Sequence, residues 1–253
     1  MIKSIKLILA FSILIISCIY CTSLKQVQFK QYPSFESNAD KIMVQYEHRA
    51  FESTRTYIFE NLDGSKRITF IVSNAKSNTE RRRGDLPVHV YQAESGTGLQ
   101  FSIWNPLDST TYIIEGEIIQ KGIVAEGSKS YTEMTLSTKG EFKIFHQNNQ
   151  IGLIKLKSRK FKTDSFEILI NDRKLNHIFE KRLSSRHLSF EHENELVAFL
   201  ELHSKTSFGS ERYEGDFFIK DGLDKHFYSD ILVSSIVADI LNRFIEDYEH
   251  LKE

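Results

Sequence analysis

Five cations fall within eight residues in Lys155-Leu156-Lys157-Ser158-Arg159-Lys160-Phe161-Lys162. At a strand end such a run would gather Lys155, Lys157, Arg159, Lys160 and Lys162 on one edge and attract phosphate or anionic lipid headgroups. The same composition also suits a solvated segment that deters edge-to-edge strand pairing. Arg81-Arg82-Arg83 is a second basic run, within a polar stretch from Ser73 to Asp85 that reads as an exposed loop. Other patterns carry less chemistry. His192-Glu193-Asn194-Glu195-Leu196 opens like a zinc-protease helix, but Leu196 stands where the second histidine ligand belongs, and the segment reads as a hairpin turn. His187 and His192, the nearest histidine pair, fall on opposite faces of an alternating strand. Glu115 and Glu117 share a strand face, as acid–base pairs do, and as the wet face of any sheet does. Gly96-Thr97-Gly98 reads as a turn without the strand–helix frame of a dinucleotide site. Trp104, the single tryptophan, needs no ligand to explain it. No catalytic residue, metal site or cofactor is assigned from these patterns, and the chain reads as a non-enzyme.

Cys18 and Cys21 are the two cysteines, and both lie near the N-terminus. Lys3 and Lys6 precede an apolar run from Leu7 to Ser17, the charge order and length of an export signal. Ile15-Ile16-Ser17-Cys18 then resembles the bacterial lipobox, with Ile15 where leucine is commonest. That resemblance implies cleavage before Cys18 and lipidation of Cys18. Two alternatives stay open. Cleavage after Cys21 gives a secreted protein, and the uncharged stretch Leu7–Leu24 is long enough for an uncleaved anchor. With both cysteines in the address segment, the folded body holds no disulfide and no thiolate metal site. The domain reading is a signal at 1–17, a lipidated cysteine and tether at 18–40, and one domain at 41–253.

The elements that position these residues are mostly strands. The 253 residues are 40% apolar and 26% charged, a globular composition with room for a substantial core. Lys and Arg number 33 against 34 Asp and Glu, so no basic excess points to nucleic acid. Without residues 1–17, 31 basic groups face 34 acidic ones and the net charge is −3. Short alternating runs recur between turn signals: Arg67–Val72 after Asp63-Gly64, Phe101 with Ile103, Tyr112–Ile119, Phe166 with Ile168 and Ile170, and Leu188 with Phe190. This spacing predicts an antiparallel barrel or sandwich.

From Ser229 the period changes to helical. Ile231, Leu232, Val233, Ile236, Val237, Ile240, Leu241, Phe244 and Ile245 spread over a wide arc, which leaves Ser235, Asp239, Asn242, Arg243 and Glu246 on a narrow polar strip. Ser229 reads as the N-cap of a helix over 229–247. An apolar arc wider than a surface helix needs asks for partners on most sides, and a barrel wrapped around the helix supplies them.

A resemblance follows from the hairpin Gly140–Ile154, from Phe166-Glu167-Ile168 and from the closing stretch Ile231–Ala238. Together they resemble the tubby-like fold of tubby proteins, phospholipid scramblases and LURP-one-related proteins, over roughly residues 110–248. The resemblance implies about twelve antiparallel strands around a central C-terminal helix. It also implies affinity for anionic lipid at the basic run. A lipocalin-like barrel with the helix outside is the alternative fold. The function expected is an exported, lipid-anchored binding or scaffolding module in the cell envelope, with a protein partner unassigned and no nucleic acid. The alternatives are a secreted carrier of an apolar small molecule and a scramblase-like lipid-handling protein.

Overall fold

The structure is a computed structural model that describes residues 33–49, 54–62, 64, 67–83, 90–126, 131–160, 163–182, 184–205 and 210–247. A short helix α1 (Pro33–Glu36) precedes β1 (Ala39–Arg49), β2 (Arg55–Asn61), β3 (Arg67–Arg83), β4 (Val90–Asn105), β5 (Thr110–Glu126) and β6 (Tyr131–His146). Then come β7 (Asn149–Lys160), β8 (Thr163–Ile170), β9 (Arg173–Arg182), β10 (Ser185–His192), β11 (Glu195–Lys205), β12 (Ser210–Lys220) and helix α2 (Lys225–Asp247). Each strand pairs antiparallel with its sequence neighbours, and β1 pairs with β12 to close a twelve-stranded barrel.

The period-2 patterns have the physical basis the sequence suggested: most strands bury one face and wet the other, while 186–190 of β10 and 197–200 of β11 are buried on both, with Phe35 of α1 packed on Phe199. Phe59, Phe70, Phe101, Phe142, Phe166, Phe190 and Phe217 are buried, and Phe59 meets Phe70 at 5.6 Å and Phe217 at 5.7 Å between ring centroids. An apolar lumen with a largely polar outer wall is the inverse of a membrane-spanning barrel.

The lumen is filled by α2. Every residue from Ser229 to Arg243 is buried, over about four turns, so no face of the rod meets solvent. Side chains reach it from around the wall: Tyr57 on β2, Asn105 on β4, Arg173 and His177 on β9 and Arg186 on β10 all bond to helix residues. Burial of each aliphatic side chain contributes about 1.5–3 kcal/mol, and α2 brings Ile231, Leu232, Val233, Ile236, Val237, Ile240 and Leu241.

One rim is fixed by tight turns. Left-handed φ angles at Gln147 and Asn148, at Asn171 and Asp172, and at Glu193 and Asn194 make three two-residue hairpins. Such turns match the strand twist and favour residues that tolerate positive φ. The chain enters β1 at this rim, where Ala39 pairs with Lys220, and α2 enters the lumen here after Gly222. We call it the entry rim.

Several expectations need correction. α2 starts a turn before Ser229: Asp224 is the cap, with its Oδ1 accepting from the Phe227 N–H at 2.9 Å, and Ser229 instead bonds Asn105 at 2.9 Å. Ser73–Arg83 is not a loop but the second half of β3, because residues 76–83 pair with β4 residues 93–100. Gly96-Thr97-Gly98 is mid-strand in β4 rather than a turn.

Candidate functional site

The narrow polar strip of α2 holds the most built polar site among the described residues. Asp239 is fully buried, and both carboxylate oxygens are occupied. Oδ1 accepts from Arg186 Nε at 3.0 Å, while Oδ2 accepts from Arg243 Nε at 2.8 Å and from the Tyr57 hydroxyl at 2.9 Å. Arg243 lies between two rings, its guanidinium carbon 4.0 Å from the Tyr46 centroid and 4.2 Å from that of Tyr213. It also reaches Glu211, which accepts a bond from Tyr46 at 3.2 Å and opens the cluster to solvent. Two arginines thus balance two carboxylates around one stretch of α2.

The electrostatics follow from this packing. Burial alone would raise the Asp239 pKa, but Arg243 and Arg186 outweigh it and hold the carboxyl below its usual range. Burial raises Tyr57 well above the ordinary tyrosine value, helped by the adjacent Asp239 charge. A carboxylate locked ionised by two guanidinium groups has no proton to exchange near neutral pH, so the cluster is suited to holding charge rather than moving protons.

A second polar group lies one helical turn on. His177 stacks on Phe190 with 4.8 Å between centroids, and Phe166 stacks on its other side at 5.8 Å. Its Nδ1 lies 3.1 Å from the Ser189 carbonyl, and its Nε2 is 3.2 Å from Asn242 Nδ2. A carbonyl can only accept and an amide NH₂ can only donate, so the ring is the neutral Nδ1–H tautomer. Burial depresses its pKa to about 3, in line with that assignment.

At the entry rim, Asp230 accepts from Asn171 at 2.8 Å and from Arg173 at 3.2 Å, which ties the β8–β9 turn to α2. Asp108 organises the β4–β5 turn, with its Oδ2 2.8 Å from the Tyr112 hydroxyl.

The residues singled out by sequence are dispersed. Cys18, Cys21, Phe161 and Lys162 lie outside the described residues. Lys155, Lys157, Arg159 and Lys160 fall on β7. Lys155 is exposed and faces Glu141 on β6 and Glu167 on β8, with its Nζ 3.9 Å from Glu141; Arg159 is paired in register with Asp164. The run is therefore interleaved with acidic neighbours. Arg81, Arg82 and Arg83 end β3, opposite Ser95, Glu94 and Ala93. Glu115 sits on the outer wall beside Gln100, 3.2 Å away, and Glu117 next along the same face. His192 ends β10, where its Nδ1 meets the Lys174 carbonyl at 2.9 Å, and Glu193 opens the β10–β11 turn. His187 is buried against Phe199 instead. Among the described residues, no group of three or more His, Cys, Asp and Glu side chains is arranged to hold a metal ion.

The Asp239 cluster as a whole is not visible in the sequence, because Tyr57 and Arg186 lie 182 and 53 residues away from it in the chain. The one available clue was a charged pair, Asp239 and Arg243, within an otherwise apolar helix at i, i+4 spacing. No family model matches the chain, and no curated protein or solved structure matches it at a significant level.

Proposed function

We propose that this chain is a lipid-anchored binding or scaffolding module that works at a membrane surface, built on a tubby-like barrel. The observation that carries this reading is the enclosed helix. With α2 on the axis, the lumen is packed by the chain's own side chains, and recognition is left to the outer wall and the rims. A carrier of an apolar ligand needs the opposite arrangement, an emptied lumen with the helix outside. A scramblase-like protein would present its closing helix to lipid. Here that helix is sealed inside and holds Asp239 and Arg243, and among the described residues no helix is long and apolar enough to cross a membrane.

Attachment in this reading comes from acyl chains on Cys18, after removal of residues 1–17, with the following residues as tether. The cations of β7 add a weaker contact to anionic headgroups, moderated by Glu141, Glu167 and Asp164. Metabolic labelling with a tagged fatty acid tests the anchor. Label should enter the wild-type chain and be lost in Cys18→Ala, which should also leave the membrane fraction or remain there only as the uncleaved precursor. Equal labelling of both proteins would remove the anchor from the account.

A further inference from the structure

Among the described residues the outer wall exposes Met43, Leu169 and Ile178 apart from one another, and three large side chains together near the entry rim. Ile71 is 40% exposed, Trp104 39% and Ile113 37%. They are contiguous. Ile71 and Trp104 are Cα partners across β3 and β4, while Ile113 on β5 is the diagonal neighbour of Trp104, two residues along from its partner Thr111. Neighbours so placed are within reach of an indole ring. Trp104 is next to last in β4, and Asn105 beside it bonds Ser229 in α2. Leu62, 63% exposed, follows β2 at the same rim.

We propose that the barrel rests on the bilayer through this part of its wall, with Trp104 as the inserted group and Ile71 and Ile113 beside it. The inference deepens the anchored reading and rests on it. The chain enters the barrel at the rim that carries the patch, since Ala39 pairs with Lys220 where α2 begins. Residues 18–32, at about 3.3–3.6 Å each, span roughly 50 Å when extended, and far less as a coil. An acyl anchor at Cys18 thus joins the barrel through the rim that carries the patch. Tryptophan favours the membrane–water boundary, where its ring is half apolar and its N–H finds a partner. A second copy of the chain fits less well. Three side chains with about two fifths of their surface showing fall well short of the roughly 800 Å² per partner that a stable interface buries.

Trp104 reports on its own position, because it is the single tryptophan of the chain. The acylated full-length product is reconstituted into phosphatidylcholine vesicles with and without bromine-labelled acyl chains. Its emission should shift to shorter wavelength than in a water-exposed indole and should lose intensity to the brominated lipid. The double variant Ile71→Glu, Ile113→Glu should show neither effect while it keeps wild-type thermal unfolding and acylation. Acylation with no bromine quenching would overturn the wall contact and leave the anchor standing. Shielding of Trp104 from aqueous iodide that grows with protein density, without bromine quenching, would assign the patch to a second copy and also overturn it. Failure of acylation at Cys18 would overturn both.

Discussion

His177 shows how much one buried group can decide. Its ring is neutral, held by a carbonyl on one nitrogen and an amide on the other, between Phe166 and Phe190. Burial depresses its pKa from 6.5 to about 3, so the unfolded chain takes up a proton first as pH falls. The contribution of the neutral ring is complete above pH 6.5 and shrinks below it at about 1.4 kcal/mol per pH unit, until the folded state protonates near pH 3. The lowered carboxylates Glu195 and Asp224 enter only below their ordinary values of 4.5 and 3.8, and Asp230, raised by burial, acts in the opposite direction from above its ordinary value. The urea midpoint should fall between pH 6.5 and about 4.5, and the fall should be shallower in His177→Gln. The same slope in both proteins would contradict the neutral, buried assignment. Asp239 acts in the same direction at lower pH, since its carboxylate is held ionised.

At the scale of elements, the strands differ in how far their sequences announced them. Phe166, Ile168 and Ile170 alternate cleanly because one face of β8 packs on the lumen and the other meets water. The second half of β3 is Ser77-Asn78-Thr79-Glu80-Arg81-Arg82-Arg83, with no buried-face period, and only its register against β4 makes it a strand. α2 was legible from its wide apolar arc. The role of its polar strip was not, because Asp239 and Asn242 find partners that the barrel brings round from distant strands. Glycines on the wall follow the same logic of close approach. A Cβ on Gly215 in β12 would lie 1.7 Å from the Glu201 carbonyl oxygen on β11, whereas one on Gly96 in β4 meets nothing within 4 Å. Gly215→Ala should therefore cost about 1–3 kcal/mol or more in chemical denaturation, while Gly96→Ala should stay within about 0.5 kcal/mol. Equal effects would mean that β12 does not pack as closely on β11 as the structure has it.

As a whole molecule, the barrel and its helix should unfold as one cooperative body. The first and last strands close the wall, and Glu211 on β12 pairs with Arg243 on α2, so the seam and the core are tied together. Such an arrangement fills the lumen with the chain's own side chains. An antiparallel barrel or sandwich and a helix that needs partners on most sides could be read from residue periods, while the number of strands came only from the resemblance; the charge lock inside them could not be read, because a period reports which face is buried and not which partner waits there. Native-state hydrogen exchange tests this cooperativity residue by residue. Amides from Ser229 to Arg243 should exchange only through global unfolding, with free energies equal to those of the most protected strand amides and with the same denaturant dependence. Exchange of that helix at markedly lower free energy than the strands would mean that α2 opens or leaves the barrel on its own, and would contradict the account.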